Sequence, residues 1–296
     1  MERNLYHGWE TMSEGTVISF GCSHTAGSEI DSLGDSDYNR QHSYGAHLAK
    51  KFGYDHMNFA LCGGSNQRIF VLTTQVLKEI IVGTCNLVPH LRKNHKYFFL
   101  IGWTSLNRFD LRYSNDGSML SKAEIRSQVY EQCGDAGDKL DNKIIPACLG
   151  MNPNIINDKD LRRTIKYIPY IADNVVMADQ LASYIFALQT MLETNNIDYY
   201  MFNAIENHFK TDYFTQDRYD VHAEPIWRPG NTIIYDNIDE TKYYHPKSYI
   251  ENYYRWCTSH GHENQSNKYW HLGEPAHIDW ANHIYPEILN AYPNLG

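Results

Sequence analysis

Apolar residues in the first third of the chain fall into two alternating kinds of run. Thr16 to Phe20 is β-branched and aromatic and stops at Gly21, which predicts a buried strand. Tyr44, Leu48, Ala49 and Phe52 then recur at helical spacing, with Gly53 as the stop. His56 to Ala60 predicts a second strand, followed by the turn Cys62-Gly63-Gly64-Ser65-Asn66. Ser65 or Asn66 can cap the next helix, whose inner face is Ile69, Leu72, Val76, Leu77 and Ile80. Tyr97 to Ile101 predicts a third strand, ending at Gly102.

Strand, helix, strand, helix, strand is the order of parallel strands joined by right-handed crossovers. The pattern weakens over about 109–173, where Gly, Asn, Asp and Pro scatter, and this stretch predicts an insertion over the sheet edge. Met177, Leu181, Tyr184, Ile185, Leu188, Met191 and Leu192 predict a long amphipathic helix that Asn195-Asn196 ends, and Ile197 to Asn203 a fourth strand. A second insertion, about 206–266, is aromatic, polar and aperiodic. The last helix starts near Pro275, with Ile278, Ala281, Ile284, Ile288 and Leu289 on one face and Pro286 expected to kink or interrupt it. No internal repeat or low-complexity linker divides the chain. The expectation is a single domain over 1–296, an α/β fold of three layers, α/β/α, around a central parallel sheet.

Composition narrows the function. A net charge of −9 without a clustered basic face argues against nucleic acid as a partner. Lys159, Arg162, Arg163 and Lys166 lie together, but Asp158 and Asp160 accompany them, as on a solvated helix face. The six cysteines show no C-x-x-C spacing, which disfavours a zinc ribbon or a disulfide-stapled module. The N-terminus lacks the basic and then apolar run of a signal peptide, and no stretch approaches the roughly 18 apolar residues of a membrane span. These features predict a soluble, cytoplasmic protein without membrane partners. The 23 tyrosines and 6 tryptophans exceed the ordinary need of a core. Such side chains suit carbohydrate-like or protein surfaces, and an AT-rich genome would also supply them.

Ligands bind parallel α/β sheets at the carboxyl ends of the strands. Three predicted strands end there in small or polar turns: Gly21-Cys22-Ser23-His24-Thr25, Gly63-Gly64-Ser65-Asn66 and Gly102-Trp103-Thr104-Ser105. His271-Leu272-Gly273-Glu274-Pro275-Ala276-His277 leads into the closing helix. A candidate nucleophile, two candidate oxyanion-binding turns and a candidate base therefore arrive in that order.

These blocks resemble those of the SGNH (GDSL-like) hydrolases. Phe20 to Thr25 is similar to their Gly-Asp-Ser block, and Asn58 to Gly63 to Asn-x-Gly-x-x-Gly, with Ala60 at the first glycine. Leu100 to Thr104 resembles Gly-x-Asn, and His271 to Ala281 the segment where a catalytic histidine precedes a Trp-Ala pair, here Trp280-Ala281. The resemblance implies the flavodoxin-like SGNH fold and a serine esterase or deacetylase acting on a small acyl ester, with a small-molecule or carbohydrate substrate and no cofactor. Ser23 would be the nucleophile and His271 its base, with Gly63, Gly64 and Thr104 binding the substrate. The N–H groups of Ser23 and Gly63, with a side-chain donor from the third block, would hold the oxyanion. Ser-His-Thr in the first block is similar to variants in bacteriophage genomes, which adds a virion component as an alternative compartment and virion or homo-oligomer contacts as partners.

Three positions depart from the family pattern. Cys22 stands for the Asp of Gly-Asp-Ser, and Thr104 for Asn, so that Ser105 or a backbone group can replace the missing donor. Lys268 occupies the place of the Asp three residues before the histidine. The imidazole would then need a backbone carbonyl or an acid such as Glu263 or Glu274; without one the chain is either a Ser-His dyad enzyme or a non-catalytic SGNH-like binding or phage structural module. His277 is a rival base and Cys22 a rival nucleophile. A metal held by His260, His262 and His271 lacks a standard ligand spacing, and no metal site is expected.

Overall fold

A computed structural model describes residues 13–84, 95–105, 108–112, 144–148, 174–205, 234, 236–246, 251–266 and 270–295, with 108–112, 144–148 and 174–176 described by backbone alone. In chain order the elements are β1 (Gly15–Phe20), α1 (Ser23–Ala26), α2 (Asp37–Gln41), α3 (Tyr44–Phe52), β2 (Asp55–Asn58), α4 (Asn66–Val82) and β3 (Lys96–Trp103). They continue with β4 (Arg108–Arg112), β5 (Ile144–Cys148), α5 (Asn174–Thr194), β6 (Asp198–Asn203), β7 (Tyr243–Tyr244), α6 (Tyr253–Ser259) and α7 (Glu274–Ala291). Most of 109–173 and 206–233, Lys159 to Lys166 and Lys268 lie outside the described residues.

The main sheet has five strands in the order β2-β1-β3-β6-β7. Every neighbouring pair in it is parallel. Strand residues alternate between two cores, as a period of two requires. Ile18, Phe20, Phe99, Ile101, Trp103, Tyr199 and Met201 face α4 and α5. Val17, Phe98, Leu100, Tyr200 and Phe202 face α3, α6 and α7. The fold is thus the expected three-layer α/β/α arrangement. Strands β4 and β5 pair antiparallel in a separate sheet within the first predicted insertion.

Local signals explain the boundaries. Ser65 is the cap that α4 uses, its hydroxyl accepting the Arg68 N–H at 3.1 Å. Gly53 ends α3 in the left-handed region, and Asn196 takes the same conformation after α5. Pro286 does not interrupt α7, which runs on to Ala291. It cannot donate to the Asn282 carbonyl, but both residues are exposed, so water can serve that oxygen.

The described part of 206–266 adds β7 to the sheet and packs α6 against α7. The tyrosine surplus also proves to be partly core, since Tyr44, Tyr199, Tyr243 and Tyr253 are among the largest fully buried side chains. No helix among the described residues is long and apolar enough to cross a membrane.

Candidate active site

With strand order 2-1-3, the chain leaves β1 on opposite sides to form β2 and β3, so the switch point lies between β1 and β3. The turns after β1, β2 and β3 meet at this point. Gly21 follows β1, and a Cβ there would lie 1.9 Å from Thr25 Oγ1 and 2.9 Å from the Gly102 carbonyl oxygen. Only glycine lets β1 enter the α1 turn this close to β3. The second turn lies against the first, because a Cβ on Gly64 would lie 3.3 Å from the Gly21 carbonyl oxygen and 3.9 Å from Cys22 Cα. The Leu61 N–H donates to that Gly21 oxygen at 3.1 Å. Asn58 ties the turns further, its amide donating to the Thr25 carbonyl at 2.9 Å.

Ser23 opens α1 with its residue 2% exposed. Gly63 adopts a φ of 69°, a conformation that favours glycine and turns the chain back towards β1. The Gly64 N–H donates to the Leu61 carbonyl at 2.9 Å and so serves the turn itself. Thr104 is clamped from both sides: its N–H donates to Asn66 Oδ1 at 2.8 Å and its carbonyl accepts from Asn66 Nδ2 at 2.9 Å. The Thr104 hydroxyl is buried without a hydrogen-bond partner among the described residues. A buried polar group in that condition is costly unless something else meets it.

His271 comes from the far end of the chain, packing edge-on against His24 with ring centroids 4.9 Å apart. Its Nδ1 meets Glu29 Oε2 at 3.0 Å, and the two side chains are 9% and 11% exposed. Glu29 is the acid that sequence reasoning missed. It sits on the loop leaving α1, with a φ of 68° and its N–H donating to the Ser32 carbonyl at 2.9 Å. Asn39 holds that loop, its Oδ1 accepting the Asp31 N–H and its Nδ2 donating to the Ser32 and Gly34 carbonyls. Arg40 adds an ion pair with Asp35. The left-handed Glu29 backbone is disfavoured for a residue with a side chain, and it persists because the surrounding bonds hold it.

The acids suggested by sequence stand elsewhere. Glu274 faces His47 at 3.5 Å, and Glu263 is exposed. Cys22 is fully buried in the core beside α3 and α7, away from a nucleophile's position. His260 stacks on Trp256, and His262 meets Asp279 at 3.0 Å, so neither joins His271.

His277 packs rather than reacts. The Tyr44 N–H donates to its Nδ1 and its Nε2 lies 3.2 Å from the Tyr253 hydroxyl, while the residue is 1% exposed. Burial, with smaller contributions from His47 and His271, pushes its pKa down to about 3. An unfolded chain binds a proton at this residue below about 6.5, whereas the folded chain does not until about 3. Between those values the unfolded state carries more protons, so stability rises with pH and is lost on acidification, by at most about 1.4 kcal/mol per pH unit from this group. Urea midpoints measured from pH 7 to pH 4 should fall, and the fall should be shallower in His277→Gln.

A family model described as a family of unknown function (DUF6071) matches residues 27–220, a span that includes Glu29, Gly63, Gly64 and Thr104 but not Ser23 or His271. No curated protein matches the chain. Among solved structures, TesA is 12% identical with a TM-score of 0.38, over 92% of this chain and 97% of that one. A carbohydrate esterase family 2 enzyme with a carbohydrate-binding domain, from Corynascus thermopiles (Myceliophthora fergusii), is 10% identical with a TM-score of 0.44, over 97% of this chain and 69% of that one. A carbohydrate esterase whose active site displays divergent catalytic and non-catalytic binding functions is 12% identical with a TM-score of 0.41, over 96% and 67%.

Proposed function

We propose that this chain, which belongs to the DUF6071 family of unknown function, is a serine ester hydrolase of SGNH type that uses a Ser23, His271 and Glu29 triad. The 3.0 Å contact between His271 Nδ1 and Glu29 Oε2, on the loop that follows Ser23, carries this reading. A non-catalytic binding module has no need of a carboxylate at that nitrogen. A hydrolase does, because the carboxylate fixes the tautomer in which Nε2 carries no proton and can act as a base.

The steps under this reading are those of a serine ester hydrolase. Ser23 Oγ attacks the ester carbonyl carbon while its proton passes to His271 Nε2. The Glu29 carboxylate stabilises the imidazolium that results. Collapse of the tetrahedral intermediate breaks the bond to the alcohol oxygen, which takes the proton from His271 and leaves, with the acyl group on Ser23. Water then attacks the acyl carbon, His271 accepting its proton and returning it to Ser23 as the acid departs. The backbone N–H groups of Ser23 and Gly63, with the Thr104 hydroxyl, would hold the oxyanion, and one such donor is worth about a hundredfold to a thousandfold in rate.

A fluorophosphonate probe tests the assignment directly. The wild-type protein should be labelled, and Ser23→Ala and His271→Ala should not. A well-folded wild-type protein that resists the probe would overturn it.

A further inference from the structure

The geometry points to Trp270 as the subsite for the alcohol side of the ester, with a neutral pyranose ring as its occupant; this rests on the ester-hydrolase assignment above. Of the four non-glycine residues with positive φ among those described, one is Glu29 of the His271–Glu29 pair and another is Trp270, next to His271 in the chain, at 64°. At Glu29 the conformation delivers the carboxylate to His271. At Trp270 it presents a large aromatic side chain that stays 41% exposed. A bulky residue in the left-handed region is strained, and such strain collects at ligand clamps and active sites. Full burial, the ordinary compensation, is missing here.

The backbone next to this indole is pinned. The Gln265 N–H donates to the His271 carbonyl at 2.8 Å, and Leu272 bridges to Asn264 in an isolated antiparallel pair. Leu272 is fully buried. An exposed indole one residue from the base is the aromatic surface against which this assignment seats the leaving alcohol. An indole offers a broad apolar face with a polar edge, which complements the axial-hydrogen face of a sugar ring and its equatorial hydroxyls. The net charge of −9 favours a neutral ring over an acidic one.

Trp270→Ala and Trp270→Phe should be compared with wild type on an O-acetylated glucopyranoside, on phenyl acetate and on ethyl acetate, with fluorophosphonate labelling as the reference. Trp270→Ala is expected to lower kcat/KM on the acetylated sugar about three- to tenfold, chiefly through KM. Ethyl acetate turnover and labelling rate should stay unchanged, and Trp270→Phe should recover most of the loss. Equal losses on sugar and ethyl esters would assign Trp270 a purely structural role and overturn the subsite. No loss on the sugar would overturn it as well, and a loss confined to phenyl acetate would replace the sugar with an aromatic alcohol. Absence of both labelling and turnover in the wild type would instead overturn the hydrolase assignment beneath it.

Discussion

Glutamine in place of Glu29 is expected to lower kcat on an ester such as 4-nitrophenyl acetate about ten-thousandfold while leaving the fold intact. The carboxylate lies 3.0 Å from His271 Nδ1 and, in the proposed mechanism, would perform two tasks there. It would accept the Nδ1 proton, which fixes the tautomer, and its charge would offset the imidazolium formed as Ser23 attacks. A neutral amide loses the second task outright. Its NH₂ group can also turn towards Nδ1 and select the wrong tautomer, leaving Nε2 protonated and unable to act as a base. Because both side chains are largely shielded from water, solvent would screen little of this loss. Glu29→Asp keeps the charge but shortens the reach, so it should retain more activity than the glutamine variant. A Glu29→Gln enzyme with kcat within tenfold of wild type, and an unchanged urea midpoint, would remove Glu29 from the mechanism.

Trp280→Ala should cost about 3 to 5 kcal/mol of unfolding free energy, read from urea titration by circular dichroism. Trp280 is fully buried on the inner face of α7. Its ring lies 5.5 Å from Phe202, 5.1 Å from Tyr244, 5.7 Å from Tyr253 and 5.6 Å from Trp256, centroid to centroid. Removing it leaves a cavity between the sheet, α6 and α7 that rigid aromatic neighbours cannot fill. Its indole N–H has no acceptor among the described residues, so Trp280→Phe loses volume without losing a bond and should cost less than half as much. The Leu272 to Gly273 stretch joins His271 to this helix, so the alanine variant should also lose activity before it unfolds globally. Equal midpoints for wild type and Trp280→Ala would show that the helix is held by something else.

Most of the sheet was legible because its strands are short, β-branched or aromatic, and bounded by glycine or asparagine. Thr16 to Phe20 and Tyr97 to Ile101 have this character, and they appear as strands one and three residues longer, respectively. The two-residue β7 was not legible, since Tyr243-Tyr244 is too short to show a period, and only its pairing with β6 makes it a strand. Helix α6 was hidden by Tyr253, Tyr254 and Trp256, aromatic residues that blur a 3.6-residue pattern on so short a helix. That Ser23, Gly63 and Thr104 stand at one end of the sheet was legible because strand ends converge by topology. Glu29 could not be placed, because its partner lies 242 residues away and its role depends on a single backbone dihedral. A carboxylate in the polar stretch Ser28-Glu29-Ile30-Asp31 carries no local mark that separates it from a solvated loop residue.

Moving the acid next to the serine changes which parts of the chain are bound by the chemistry. Ser23, Glu29, Gly63 and Thr104 all precede Ser105, and His271 alone returns from the other end. None of these five residues comes from the span between Ser105 and Trp270. The second insertion there is tied to the sheet by β7 and to His271 by Gln265, whereas the proposed chemistry leaves the first, about 109–173, open to change in length and sequence. For a lineage in need of new substrates, that is a fixed blade with an exchangeable handle.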